Sequence, residues 1–102
     1  MIPDAIPAGA RPKLSARARL QTDKVSGKPV LLYPEGILVL NTTGEAIVRL
    51  CTGSATVEDM VNALASRYRA APESIAADVR EYLNRLRTLN LLDLSDAARV
   101  QA

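Results

Sequence analysis

Apolar residues alternate with polar ones near the start of the chain, and this period of two is typical of a β-strand. Residues 14–21 follow it, with basic residues among the polar positions, which predicts a half-buried strand with a cationic outer face. Residues 22–28 contain a Ser-Gly pair and predict a turn. The apolar segments 29–33 and 37–40, joined by a tight turn at residues 34–36, predict a second and a third strand.

Helical spacing replaces this alternation in the rest of the chain. Thr42 and Glu45 match a capping box, which predicts the start of a first short helix that ends near Gly53. Thr56 and Asp59 match the same pattern and predict the start of a second helix.

The third helix is the longest that the sequence predicts. Pro72 and Glu73 suit its first turn, because proline fixes the backbone dihedral and an acid favours the positive end of the helix. Asn90 is the predicted C-cap, and residues 91–94 predict a short extended return. The core stripe of this helix comprises Ile75, Val79, Leu83, Leu86 and Leu89.

This order of elements predicts an α+β fold in which a three-stranded antiparallel sheet is followed by three helices. Three amphipathic helices beside a small sheet resemble a winged helix-turn-helix. We expect a single domain over residues 13–94, between flexible tails at residues 1–12 and 95–102.

The composition argues against an enzyme. The 102 residues include no His and one Cys, so the usual general base, the commonest metal ligand and a multi-thiolate zinc site are all missing. No phosphate-binding, dinucleotide-binding or nucleophile-elbow motif occurs. Cys51 lies among apolar neighbours and is interpreted as a small buried hydrophobe, with a reactive thiol as the alternative. We therefore expect no catalytic residues, no metal and no cofactor.

Charge and hydropathy bear on membrane and nucleic-acid binding. The longest apolar runs are far below the ~20 residues that a spanning helix requires, so a cytoplasmic protein without membrane contact is expected. The net charge is +2, but residues 1–30 hold six basic and two acidic residues whereas residues 31–102 hold seven and nine. A winged helix can bind DNA, but Glu58 and Asp59 on helix 2 and Asp78 on helix 3 repel phosphates. Nucleic-acid binding is the less favoured hypothesis.

The third strand is the feature that most needs a functional explanation. Its apolar residues point to both faces, although three helices can cover only one face of a small sheet. An apolar second face or an open edge would accept an extended peptide as an added strand. Helix 3 places Asp78, Tyr82 and Arg85 in a row beside its core stripe, where Tyr82 offers a ring with a polar tip. The alternatives are that helix 3 covers both faces, that two copies pair, and that Tyr82 belongs to the edge of the core.

Several segments together resemble the coenzyme PQQ (pyrroloquinoline quinone) biosynthesis protein D family of precursor-peptide recognition elements. The resemblance runs from Arg17 to Leu94, and it departs from the family at Leu20, where members often carry Trp, and at Asn90, where they often carry Gly. The segments are Arg17-Ala18-Arg19, Val30-Leu31-Leu32-Tyr33-Pro34-Glu35-Gly36, Leu40-Asn41, Ile47-Val48-Arg49-Leu50-Cys51-Thr52-Gly53, Thr56-Val57-Glu58-Asp59-Met60 and Asp78-Val79-Arg80-Glu81-Tyr82-Leu83.

The resemblance implies a chaperone-like adaptor that binds the ribosomal precursor peptide of the quinone and presents it to a radical S-adenosylmethionine enzyme. It also implies that the peptide docks as an extra strand along strand 3 and against helix 3. The peptide-binding residues expected on this basis are Leu38, Val39, Leu40, Asn41, Asp78, Tyr82 and Arg85.

Two other functions stay open at this point, namely recognition of a different modified peptide and DNA binding. The oligomeric state is open as well. A monomer and a weak or strand-exchanged dimer are both compatible with an exposed strand edge.

Overall fold

The structure of the protein is a computed structural model that describes residues 6–96. The described elements form two antiparallel sheets and three helices. Strand β3 is the centre of a three-stranded sheet with the order β2-β3-β4, and β1 pairs with β5 in a two-stranded sheet. In chain order the elements are β1 (Ala10–Leu14), β2 (Arg19–Thr22), β3 (Pro29–Tyr33), β4 (Gly36–Val39), α1 (Thr42–Leu50), α2 (Val57–Tyr68), α3 (Pro72–Thr88) and β5 (Leu92–Asp96).

The β3–β4 hairpin agrees with the sequence pattern. Leu31 pairs with Leu38 and both side chains are buried in the core, whereas Ile37 and Val39 on alternate positions are exposed. The two faces of β4 therefore differ as predicted, one covered by the helices and one open. The mixed α/β fold with three helices and an antiparallel sheet is confirmed.

The single strand expected over residues 14–21 is wrong. The chain is divided there into β1, which ends at Leu14, and β2, which begins at Arg19. The backbone N–H of Leu14 donates to Cys51 O and that of Ser15 donates to Leu91 O, while Ala18 N–H closes a turn onto Ser15 O. The bonds to Cys51 and Leu91 hold the end of β1 against the segments that follow α1 and α3, so only β2 is left to pair with β3.

Residues 6–12 also differ from the expectation of a flexible tail over residues 1–12, of which residues 1–5 lie outside the described residues. Residues 10–12 belong to β1, in which Pro12 pairs with Leu94, and Ile6 is 1% exposed. Arg80 donates from Nη1 to Ile6 O at 2.8 Å, which ties this segment to α3. At the other end, β5 extends to residue 96, beyond the boundary expected at 94, and residues 97–102 lie outside the described residues.

The helix starts were predicted with mixed success. Thr56 and Asp59 form the expected reciprocal capping box on α2, and Pro72 occupies the first turn of α3. The capping box expected at Thr42 is wrong, because the N-cap of α1 is Asn41, whose side-chain oxygen accepts from Gly44 N–H at 2.6 Å. A side-chain amide can fill the same role as a hydroxyl, so the pattern alone did not distinguish the two positions.

The helix ends show a similar small displacement. Leu89 is the C-cap of α3, and Asn90, the residue expected in that role, follows it with φ of 61°. Asn tolerates this left-handed conformation better than most residues with a side chain. Cys51 is the C-cap of α1, and the positive φ of 85° falls on Gly53, two residues later.

The core consists almost entirely of aliphatic side chains from both layers. Leu31 and Leu38 of the sheet meet the inner faces of the helices. Cys51 is 5% exposed within this cluster, which confirms its interpretation as a buried hydrophobe. Burial raises the pKa of its thiol to about 12, so the reactive thiolate is disfavoured in the folded protein. The helical members are Ala46, Ile47, Val48, Val57, Met60, Val61, Leu64, Ala65, Ile75, Val79, Leu83 and Leu86.

Candidate functional site

A groove of about 330 Å³ lies between the first turns of α1 and the middle of α3. Asn41 enters it from the residue that precedes α1, and three exposed or half-buried positions of the predicted helix row enter it from α3. Four of the seven predicted peptide-binding residues therefore line one cavity. The lining residues are Asn41, Thr43, Ile47, Asp78, Glu81, Tyr82 and Arg85.

Tyr82 is held in this groove by close packing against α1. A β-carbon built on Gly44 would lie 2.6 Å from the Tyr82 hydroxyl oxygen and 2.7 Å from its Cζ, closer than real β-carbons approach other atoms. The absence of a side chain at position 44 therefore lets the ring lie on the backbone of α1. Burial raises the pKa of Tyr82, with the Arg85 guanidinium partly opposing this, so the hydroxyl keeps its proton and can donate.

Charges on α3 flank the tyrosine. Asp78 and Glu81 precede it and Arg85 follows one turn later, all three on exposed positions. Neither salt bridge found among the described residues involves them; those bridges join Arg17 to Glu35 and Arg49 to Glu45. The groove therefore offers a hydroxyl, two carboxylates and a guanidinium to an incoming polar group.

Strand β4 is the edge of its sheet within the described part of the chain, so one side of its backbone has no strand partner there. Leu40 N–H donates to Pro29 O at 3.0 Å, and the register pairs Leu31 with Leu38. In an antiparallel ladder, residues with inward-pointing backbone groups alternate with residues whose groups point outward. The N–H and C=O groups of Ile37 and Val39 therefore face the free edge.

This geometry separates the four predicted strand residues. Leu38 and Leu40 are 8% and 3% exposed, with side chains in the core and backbone groups directed towards β3. Val39 is 59% exposed and presents its backbone to the edge. Asn41 follows the strand and lines the groove, so the free edge and the groove meet at this residue.

Sequence reasoning missed Ile37, Thr43, Gly44, Ile47 and Glu81 as components of this region. Glu81 lies one turn before Arg85, so the helical spacing could have included it in the row on α3. The contribution of Gly44 had no signal, because it depends on a contact with a residue 38 positions away along the chain.

Within residues 6–96, no cluster of three or more His, Cys, Asp or Glu side chains is arranged to hold a metal ion. None of the helices in the same range combines the length and the apolar character needed to cross a membrane.

Comparisons with known proteins agree on one family. The sequence model of "Coenzyme PQQ synthesis protein D (PqqD)" matches residues 29–92, which include β3, β4 and all three helices. A protein of Methylococcus capsulatus named PqqA binding protein is 39% identical over 71 residues, covering 70% of this chain and 74% of that protein. A protein of Rhizobium meliloti with the same name is 32% identical over 82 residues, covering 80% and 84%.

Two solved structures have similar folds. The solution structure of the PqqD part of Methylobacterium extorquens PqqCD, described as a stand-alone recognition element for ribosomally synthesized and post-translationally modified peptides, superposes with a TM-score of 0.76 at 33% identity. It covers 91% of this chain and 99% of that one. TbiB1, solved in complex with the TbiA(beta) leader peptide, has a TM-score of 0.67 at 23% identity, covering 79% and 94%, and shows similarity of fold alone. The matched family model and the relatives above 30% identity together establish that this chain belongs to the coenzyme PQQ synthesis protein D family.

Proposed function

We propose that this protein binds the ribosomal precursor peptide of pyrroloquinoline quinone and presents it to the radical S-adenosylmethionine enzyme of the pathway. The observation that carries the proposal is the meeting of an unpaired strand edge and a polar groove at Asn41. The family membership and the names of the relatives, which describe them as PqqA binding proteins, support the choice of peptide.

In this proposal the peptide joins β4 as an additional antiparallel or parallel strand. Its backbone pairs with the outward groups of Ile37 and Val39, which supplies affinity that does not depend on the peptide sequence. Side chains of the peptide then enter the groove beside Tyr82, Asp78 and Arg85, which supplies selectivity. Leu38 and Leu40 act indirectly, since their buried side chains fix the position of the edge.

The protein acts as an adaptor and performs no bond chemistry in this proposal. Holding the peptide converts the encounter with the modifying enzyme into a reaction within one assembly, which raises the effective concentration of the peptide. The thiol of Cys51 does not serve as a nucleophile in this proposal, because it is buried and burial raises its pKa to about 12.

A second candidate is a winged helix-turn-helix protein that binds DNA, for which α2 and α3 beside the β3–β4 hairpin are the supporting arrangement. The exposed acids Glu58 and Asp59 on the first turn of α2 oppose it, because bases and phosphates are contacted there by donors and cations. Recognition of a different modified peptide uses the same groove and differs only in the ligand.

Amide-shift mapping with the quinone precursor peptide tests the proposal. We expect saturable binding, with the largest shifts at Ile37, Val39 and the α3 face of the groove. A peptide of the same composition in scrambled order and a duplex oligonucleotide serve as controls. Absence of peptide binding, or shifts confined to β2 and α2, would contradict the proposal. Salt-dependent binding of the duplex would instead favour the DNA-binding function.

A further inference from the structure

The outer face of the three-stranded sheet is apolar and open, and the proposed peptide site does not use it. Register places Val30 opposite Val39 and Leu32 opposite Ile37, so these four side chains share the face turned away from the helices. Ile37 and Val39 are 62% and 59% exposed. A concave depression of about 600 Å³ lies over them, bounded by the turn at residues 23–28.

Basic residues border this depression. Lys24 and Lys28 line it from the turn, and Arg19 shares the face through its pairing with Leu32. Neither of the salt bridges found in the range 6–96 includes these three cations. The one acid at the rim, Asp23, is committed to the turn, since its carboxylate accepts from both the hydroxyl and the N–H of Ser26.

We propose that this outer face docks the modifying enzyme through an apolar segment of its surface that is bordered by carboxylates. The inference rests on the proposed function for the identity of the partner. The apolar floor and the cationic rim define the complementary chemistry, because interfaces place opposite charges around a desolvated apolar centre. The helices cover the inner face of the sheet. The peptide pairs with the free backbone edge of β4 and enters the groove on the helix side, whereas the enzyme contacts the outer face. The peptide and the enzyme therefore bind at the same time.

Two other occupants fit the surface less well. A second copy of the chain would bring the same cationic rim against itself, which is unfavourable without intervening acids. An anionic membrane favours protruding apolar side chains, whereas this apolar floor is concave.

The test compares two variants with the parent chain for binding to the purified radical S-adenosylmethionine enzyme and, separately, to the precursor peptide. Lys24→Glu combined with Lys28→Glu reverses the charge of the rim, and Leu32→Thr replaces an apolar side chain with a more polar, β-branched one that strands accommodate well. Leu32 lies on the central strand and outside the core cluster, so its replacement leaves the free edge of β4 intact.

We expect each variant to bind the enzyme at least about tenfold more weakly, with peptide affinity unchanged. Unchanged enzyme affinity in both variants would overturn the inference while leaving the peptide proposal intact. Loss of peptide affinity in either variant, binding of the parent chain to anionic phospholipid vesicles, or a dimer that Leu32→Thr dissociates would also overturn it. Failure of the parent chain to bind the peptide would contradict the proposed function instead.

Discussion

Tyr82 on α3 occupies the space that a side chain at Gly44 on α1 would need. The ring therefore fixes how closely the two helices approach at the groove, and the glycine fixes where the ring lies. A substitution at either position changes the effect of a substitution at the other, which makes the pair suitable for a double-mutant cycle.

Gly44→Ala is expected to destabilise the parent chain and to stabilise the Tyr82→Ala chain. In the parent, overpacking costs about 1–3 kcal/mol, which exceeds the gain of about 1 kcal/mol from replacing glycine within a helix. Without the ring, only the gain remains. Chemical denaturation of the four proteins measures the difference, and an equal effect of Gly44→Ala in both backgrounds would show that the contact is absent.

The sequence predicted those parts of the fold that depend on local patterns. The β3–β4 hairpin, the capping box at Thr56 and the proline at the start of α3 each have a cause within a few neighbouring residues. The two-stranded sheet has no such cause, because Ala10 pairs with Asp96 from the opposite end of the chain. Prolines around β1 indicated a tail, and only the tertiary pairing overrides that indication.

The candidate site was predictable to a similar degree. Helical spacing placed Asp78, Tyr82 and Arg85 on one face of α3, and the structure brings them together in the groove. The strand alternation indicated an exposed apolar face but could not distinguish the residues that present backbone groups to the edge. That distinction depends on the register with β3, which is a property of the pair of strands.

Cys51 is expected to resist alkylation until the protein unfolds. Its folded pKa of about 12 lies above the ordinary value of 9.0, so the folded state retains a proton that the unfolded state loses between pH 9.0 and 12. The thiol therefore lowers stability as pH rises through this window, by about 1.4 kcal/mol per pH unit.

Mass spectrometry after iodoacetamide treatment at pH 8 measures the alkylation of Cys51. We expect the labelled fraction to rise with denaturant concentration along the unfolding curve of the protein. A Cys51→Ala chain is the control for the pH dependence, since it retains every other titrating group. Rapid labelling of the folded protein would contradict the buried position of the thiol.

Val39→Pro is expected to weaken peptide binding by tenfold or more without unfolding the sheet, tenfold being about 1.4 kcal/mol. Proline removes the outward N–H of the free edge and leaves the bonds between β3 and β4 in place, which is the position where strands tolerate it. Val39→Thr is the matched control, because it keeps the N–H and the β-branched shape. Calorimetric titration with the precursor peptide and circular dichroism together measure the effect, and parental affinity in the proline variant would rule out strand addition at β4.

Arg85→Glu is expected to weaken peptide binding by about tenfold while leaving the fold unchanged. The Arg85 side chain is exposed and lines the groove, and none of the salt bridges found in the described range includes it. The expected loss of affinity therefore has two causes. The variant loses the guanidinium donors to peptide oxygen atoms, and it places a third carboxylate beside Asp78 and Glu81.

Arg67→Glu is the control, because it makes the same change in net charge on the exposed face of α2, away from the groove, and is expected to retain affinity. Titrations of both variants at two salt concentrations separate the contact from the overall charge, since a general charge effect would weaken both variants equally and would fade at high salt. Equal losses for Arg67→Glu and Arg85→Glu would place the peptide somewhere other than this groove.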